Sequence, residues 1–182
     1  MAYISERMKI DLGCSKNKIP GTVGIDADPH SDADIIVNFE KDPIPLEDNS
    51  VSHVSSKQVF EHLEDPERVL KELYRIVKPD GEIFVEVPHY SSYIAHGIGH
   101  KQYYSQKELV QMFRETISCE IVKSEITFYK LFKWLGIKYL ANKFPKTYEK
   151  FWAYRFPAEN LKITARVKKN QQILKETPSP SE

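Results

Sequence analysis

Asp11, Asp26 and Asn38 are the side chains to start from. Each lies at or just past the end of a short apolar run, at 8–12, 22–25 and 34–37. Oxygen acceptors at successive strand ends suit a polar ligand resting on the carboxyl edge of a sheet. Gly13 follows the first run and opens a tight polar loop, Cys14-Ser15-Lys16-Asn17. A residue without Cβ lets the backbone turn sharply and lets a ligand approach. A second group is His89, His96 and His100, with Tyr90 and Tyr104 close by in sequence. Imidazole takes and gives protons near neutral pH, so these are the candidate bases. They are separated by six and then three residues, with no matching carboxylate or cysteine pair. No metal is expected from that spacing.

Elements must bring these residues together. Asp26 lies fifteen positions after Asp11, too few for a turn, a full helix and a strand. The first crossover is therefore a turn or a short helix, punctuated by Pro20-Gly21. A fourth strand is read at 51–56 and a short helix at 58–63. Asp65 and Pro66 mark the cap and first position of a longer helix. Val69, Leu70, Leu73, Ile76 and Val77 give that helix one apolar face. Pro79-Asp80-Gly81 should end it, with a fifth strand at 82–87. Ser105 and Glu108 form a capping box ahead of Leu109, Met112 and Phe113. Strands are expected at 119–126 and 161–167, the last antiparallel. The fold class is α/β: a Rossmann-like, mostly parallel sheet of about seven strands with helices on its faces.

The stretch 128–156 holds 11 aromatic residues in 29 positions, interleaved with lysines and broken by Pro145. It reads as a helical, aromatic insertion before the last strand, a cap or lid. Residues 1–169 form one domain, and the polar 170–182 end reads as a disordered tail. Net charge is zero, but 1–90 carries 18 acids and 10 bases while 91–182 carries 8 and 16. The two cysteines make no disulfide framework and fit a reducing cytoplasm. No leader and no membrane span are read.

The composite IDLGCSKNKIPGTVGIDADP and NFEKDPIPLEDNSVSHVSSKQVFEHLEDPERVLKELYRIVKPDGEIFVEVP resembles the class I S-adenosylmethionine-dependent methyltransferases, in particular the small type 11 domains. The resemblance covers roughly 8–88. It implies that Gly13, Cys14 and Ser15 pass beneath the methionine part of the cofactor and that Asp11 orients that loop or the amino group. Asp26 would take both ribose hydroxyls, Ala27 would pack on the adenine, and Asn38 and Phe39 would meet its edge and face. Lys57 and Gln58 would flank the methionine and the methyl group. The chain departs from the pattern at Ser15 and Asn17, where glycine is usual, and at Ser52, where an acid is common. Ser15 would be uncomfortable if its φ is positive. The family often has a histidine just before an aromatic residue and a Ser/Thr-capped helix, as His100 to Ser105 here, and this resemblance ranks His100 before His89 as the base. Glu61 reads as a loop support through hydrogen bonds rather than a chemical group, and His62 as packed against the sheet rather than catalytic.

The implied enzyme moves a methyl group to oxygen or nitrogen of a small-molecule acceptor. Two other readings stay open: a methyltransferase-like scaffold without catalysis, and a nucleic-acid-binding module using the basic aromatic stretch, for which no recognition motif is present. Oligomeric state is not legible.

Overall fold

The structure, a computed structural model, describes residues 8–130, 132 and 136–169. The tail expected at 170–182 lies outside the described residues. Among the described residues seven strands form one sheet: β1 (Met8–Leu12), β2 (Val23–Asp26), β3 (Ile35–Ile36), β4 (Val51–Lys57), β5 (Val77–Pro88), β6 (Cys119–Phe128) and β7 (Ala158–Val167). Their order is β3-β2-β1-β4-β5-β7-β6. β1 to β5 pair in parallel, and β7 runs antiparallel to both β5 and β6. The fold class expected from sequence is the one observed. The strand order reverses between β1 and β4, which opens a crevice at their carboxyl ends.

Helices α1 (Pro66–Ile76) and α2 (Gln106–Thr116) begin as their sequences dictate. The Asp65 side chain accepts from the Arg68 N–H with Pro66 at the first position, and Ser105 and Glu108 complete a capping box. Both helices turn their buried residues onto one apolar face of the sheet. Val69, Leu70, Leu73 and Ile76 of α1, and Leu109 and Phe113 of α2, meet Ile83, Val85, Val87, Ile163 and Ala165 in a single core. Alternate residues on the other face are half-exposed and pair as ions, Glu82 with Arg166 (3.1 Å) and Glu86 with Lys162 (3.3 Å).

The short connections after β1 and β2 leave that second face with fewer helices. Windings from β1 to β3 and from β4 to β5 run in opposite directions along the sheet. Right-handed crossovers would place their helices on opposite faces. The β1–β2 and β2–β3 connections are turns, so that face has no crossover helix from them.

The helix end at 79–81 is also corrected. Helix α1 stops at Ile76, and Val77 already pairs with Val51. The chain then bulges through 78–81, with Asp80 at φ +61°, before Glu82 pairs with His53.

Pro145 divides the aromatic insertion as its sequence suggests. Helix α3 spans Ile137–Lys143, and α4 spans Pro145–Phe151 with the proline at its first position. Asn142 of α3 bonds both the N–H and the carbonyl of Ile126 at 2.8 Å, pinning the insertion to β6.

Glu125 adds to that attachment. Hydrogen bonds from Lys123 (2.7 Å) and Lys138 hold its carboxyl down at about 2, below the ordinary 4.5. A depressed carboxyl stabilises the fold above its unfolded value, and the contribution is lost as pH falls through its folded value. Both lysines are substantially exposed, which screens the pair. Glu125→Gln should cost about 1 kcal/mol at pH 7. The difference from the parent should shrink from about pH 4.5 downward and vanish near pH 2, as read from denaturant midpoints across pH. A gap that stays constant with pH would mean that the ion pairs contribute nothing.

Candidate active site

The crevice at the switch in strand order is built from the ends of β1, β2 and β4. Gly13 leaves β1 with φ +69°, and its N–H donates to the Ile25 carbonyl (2.7 Å). A Cβ at Gly13 would stand 2.3 Å from Val59 Cγ2, so this backbone approaches the turn after β4 more closely than any side chain permits.

Asp11, almost fully buried, accepts the Ile19 N–H (2.8 Å) and so folds the loop after β1 back on its own strand. That is the loop-orienting half of its expected role. Asp26 ties this loop to the next: Oδ2 accepts the Ser15 N–H (2.8 Å) and Oδ1 the Asp28 N–H (2.9 Å). A carboxylate has about four acceptor positions, so Asp26 keeps two for a ligand.

The crevice, about 250 Å³, is lined by Gly13, Asp26, Ala27, Asn38, Phe39 and Gln58 together with Glu40, Val59, His62 and Leu63. Six of the residues expected from sequence thus share one wall. Phe39 is buried, its carbonyl held by Arg68 (3.0 Å), while Asn38 is exposed and its Oδ1 accepts the Glu40 N–H (3.2 Å). Gln58 takes φ +55°, and its N–H donates to the Glu86 carbonyl (2.8 Å). Lys57 closes β4 as an exposed residue outside the lining. Cys14 is buried beside the loop. Burial first, then the carboxylates of Asp26 and Asp11, push its thiol up, which keeps it protonated and a poor nucleophile.

Ser15 has φ +48°, the positive value its sequence neighbourhood warned of. A left-handed backbone strains an L-residue by about 1–2 kcal/mol. Glycine there returns part of this gain as unfolded-chain entropy. Ser15→Gly should therefore stabilise the fold by about 0.5–1 kcal/mol, a rise of roughly 1–4 °C in melting temperature. A melting temperature that falls would show that the serine side chain, not the backbone, decides this position.

The histidines separate into different settings. His89 is fully buried at the end of β5. Its Nδ1 accepts the Ser91 N–H (3.2 Å), and Nε2 lies 3.5 Å from Glu149 of α4. Glu149 also accepts the Gln106 N–H (2.6 Å), and its carbonyl accepts the Tyr90 hydroxyl (2.9 Å). His89 thus sits where the insertion seats on the loop after β5. His96 lies against the Tyr103 ring, with ring centres 5.3 Å apart. His100 is brought instead to the turn after β4, edge-on to His62 with ring centres 4.6 Å apart.

That turn, Phe60–His62, differs from expectation in both of its polar residues. Glu61 holds the loop through its main-chain carbonyl, which accepts from Lys101 (2.7 Å) and Gln102 (3.0 Å). Its carboxylate is 1 % exposed, and neither oxygen has a hydrogen-bond partner among the described residues. Burial raises that carboxyl to about 7. It is pulled weakly the other way by its own main-chain N–H, outside hydrogen-bond geometry, and by His100. His62 is exposed on the crevice wall rather than packed on the sheet. The sequence signal for this group was the adjacent Glu61-His62 pair, with nothing to say that His100 would meet it.

An S-adenosylmethionine molecule fits what these residues offer. A bare backbone lies at Gly13, a carboxylate with spare acceptors faces the ribose position, and a buried ring and a small side chain suit a flat base. Comparison with known proteins agrees. Residues 22–85 match the family model described as a methyltransferase domain. A S-adenosylmethionine-dependent methyltransferase from Archaeoglobus fulgidus is 18% identical with a TM-score of 0.67, covering 90% of this chain and 88% of that one. A Thermotoga maritima S-adenosylmethionine-dependent methyltransferase is 16% identical with a TM-score of 0.63, covering 90% and 83%. A chain from the complex between the Haloferax volcanii Trm112 methyltransferase activator and a methyltransferase is 20% identical with a TM-score of 0.61, covering 93% and 86%. No curated protein sequence matches.

The matched segment, about a third of the chain, is similar to a methyltransferase domain, and the fold is the one these S-adenosylmethionine-dependent methyltransferases share. Together they support an enzyme, a methyltransferase with S-adenosylmethionine as its cofactor.

Proposed function

We propose that this chain moves a methyl group from S-adenosylmethionine to an oxygen or nitrogen of a small-molecule acceptor. One observation carries the reading: Gly13, Asp26, Ala27, Asn38, Phe39 and Gln58 line one crevice at the switch in strand order. The bound cofactor supplies an activated methyl group on a sulfonium, so the protein's work is placement and exclusion of water.

Asp26 holds the ribose hydroxyls. Phe39, Ala27 and Asn38 enclose the adenine. The main chain of Gly13, Cys14 and Ser15 runs under the methionine part, kept in shape by Asp11. Gln58 and Lys57 flank the methyl end. Among the candidate bases His100 stands nearest the crevice, through its contact with His62, and would accept a proton from the acceptor; His89 comes second.

The helical insertion serves as a cap within a single 1–169 domain. Support comes from its seat on the loop after β5, through Tyr90 and Glu149. An apolar cavity of about 310 Å³ lies inside the insertion, lined by Ile137, Leu140, Phe144, Tyr148, Trp152 and Phe156 among others. It shares no lining residue with the crevice, and no role in the reaction is assigned to it. Two free cysteines suit a cytoplasmic setting. No helix among the described residues is long and apolar enough to cross a membrane.

Calorimetric titration with S-adenosylmethionine and with its demethylated product tests the reading. Both should bind at one site per chain. Failure of both to bind at high concentration would overturn it in favour of the inactive scaffold or the nucleic-acid module. Salt-dependent RNA binding would then point to the latter.

A further inference from the structure

Glu61, His62 and His100 form a cluster that methyl transfer as described above leaves largely unexplained. One ligand atom from each lies within 4.8 Å of the others. The Nδ1 of His62 meets the Gly99 carbonyl (3.0 Å), and the Nδ1 of His100 meets the Ala95 carbonyl (2.8 Å). A carbonyl only accepts, so both Nδ1 atoms carry the proton and both Nε2 atoms carry a lone pair. Imidazoles that bind metals are oriented in this way, by a main-chain acceptor on the opposite ring nitrogen.

The third member is the carboxylate whose two oxygens lie buried without a partner. An ionised group so placed is costly unless a cation joins it. Lys101, next in sequence to His100, turns its ammonium to Glu64 (3.0 Å) instead. The two chain segments are clamped by the bonds of Lys101 and Gln102 to the Glu61 carbonyl, so the three side chains are held together without a ligand.

We propose that Glu61, His62 and His100 bind one divalent first-row cation of the zinc type, with a coordination position left open toward the crevice that His62 lines. Two imidazoles and one carboxylate are a common set for such an ion, and three protein ligands leave room for water or substrate. With the ion bound, His100 is a ligand rather than the free base. The ion would then draw the acceptor's oxygen or nitrogen to the crevice wall. That role rests on the methyl-transfer reading; the binding itself does not.

The test uses the full chain after treatment with a chelator. Zinc chloride is titrated by calorimetry, and cobalt(II) is followed by visible absorption. One equivalent should bind with a Kd of about 1 µM or tighter. Cobalt should develop the absorption of a low-coordinate site with nitrogen and oxygen ligands.

Glu61→Gln and His100→Ala should each weaken zinc binding at least about tenfold. His30→Ala, on an exposed loop, should leave it unchanged. Circular dichroism checks that each variant is folded, and the near-isosteric Glu61→Gln decides the matter if His100→Ala is not. No zinc binding by the parent at about 100 µM, or affinity unchanged in Glu61→Gln, overturns the site. S-adenosylmethionine is titrated without metal in parallel. Zinc binding without cofactor binding upholds the site and overturns methyl transfer; cofactor binding without zinc binding does the reverse.

Discussion

Replacing Asp26 with alanine should weaken S-adenosylmethionine binding by about 100-fold or more. The carboxylate would accept from the ribose hydroxyls at its two remaining positions, and each hydrogen bond to a charged group contributes roughly 1.5–3 kcal/mol. Loss of two such bonds reaches about 3 kcal/mol, and each 1.4 kcal/mol is tenfold in affinity. The substitution also frees the Ser15 and Asp28 N–H groups, which now lock the loops after β1 and β2 to one carboxylate.

Asp34 separates the two effects. It accepts the Gly24 N–H (2.8 Å) and pairs with Lys18 (2.8 Å), so it too braces the β1–β2 connection, but it stands outside the crevice lining. Asp34→Ala should lower the melting temperature while leaving cofactor affinity within about threefold. If Asp26→Ala binds as tightly as the parent, the ribose assignment is wrong. If both variants lose affinity equally, loop order rather than ribose contact explains the loss.

The parts of this architecture legible in the sequence are those set by local chemistry. Asp65-Pro66 and the Ser105–Glu108 box fix helix starts within a few residues, and the short Asp11–Asp26 spacing excludes a full helix between β1 and β2. Asp26, Asn38 and Gly13 reach the crevice because strand ends in a parallel sheet converge there. Pairing across the sheet was not legible. Pro79-Asp80-Gly81 reads as a helix stop and a turn, yet the chain bulges and Val77 is already in β5 because Val51 offers it a partner. The half-exposed face follows from what the short crossovers omit, a consequence that local patterning does not express. Glu61, His62 and His100 meet because the loop after β5 folds back onto the Glu61 carbonyl. Side chains brought together by main-chain bonds between distant segments leave no periodic trace.

Gly13→Ala should destabilise the fold by about 2–4 kcal/mol, through two separable costs. One is conformational, since φ is +69°. The other is steric: the new methyl would stand 2.3 Å from Val59 Cγ2, and Val59 is itself 9 % exposed in the turn after β4. Gly21 isolates the first cost. Its φ is +78°, and no described residue lies within 4 Å of the position a Cβ would take. Gly21→Ala should therefore cost only about 0.5–1 kcal/mol, the strain less the entropy that alanine removes from the unfolded chain. For a chain of this size the larger loss corresponds to a fall of roughly 4–16 °C in melting temperature, against about 1–4 °C at Gly21.

Val59→Ala in the Gly13→Ala background should recover the steric part, a coupling of about 1–2 kcal/mol in a double-mutant cycle, and leave the conformational part. Cofactor affinity should fall in Gly13→Ala and return only in part in the double variant, because the loop that carries Ser15 to Asp26 still starts from a strained residue. Equal losses at Gly13 and Gly21, with no coupling to Val59, would mean that the approach of the β1 loop to the turn after β4 is not what fixes glycine here. The crevice wall would then owe its shape to Asp26 and Asp11 alone.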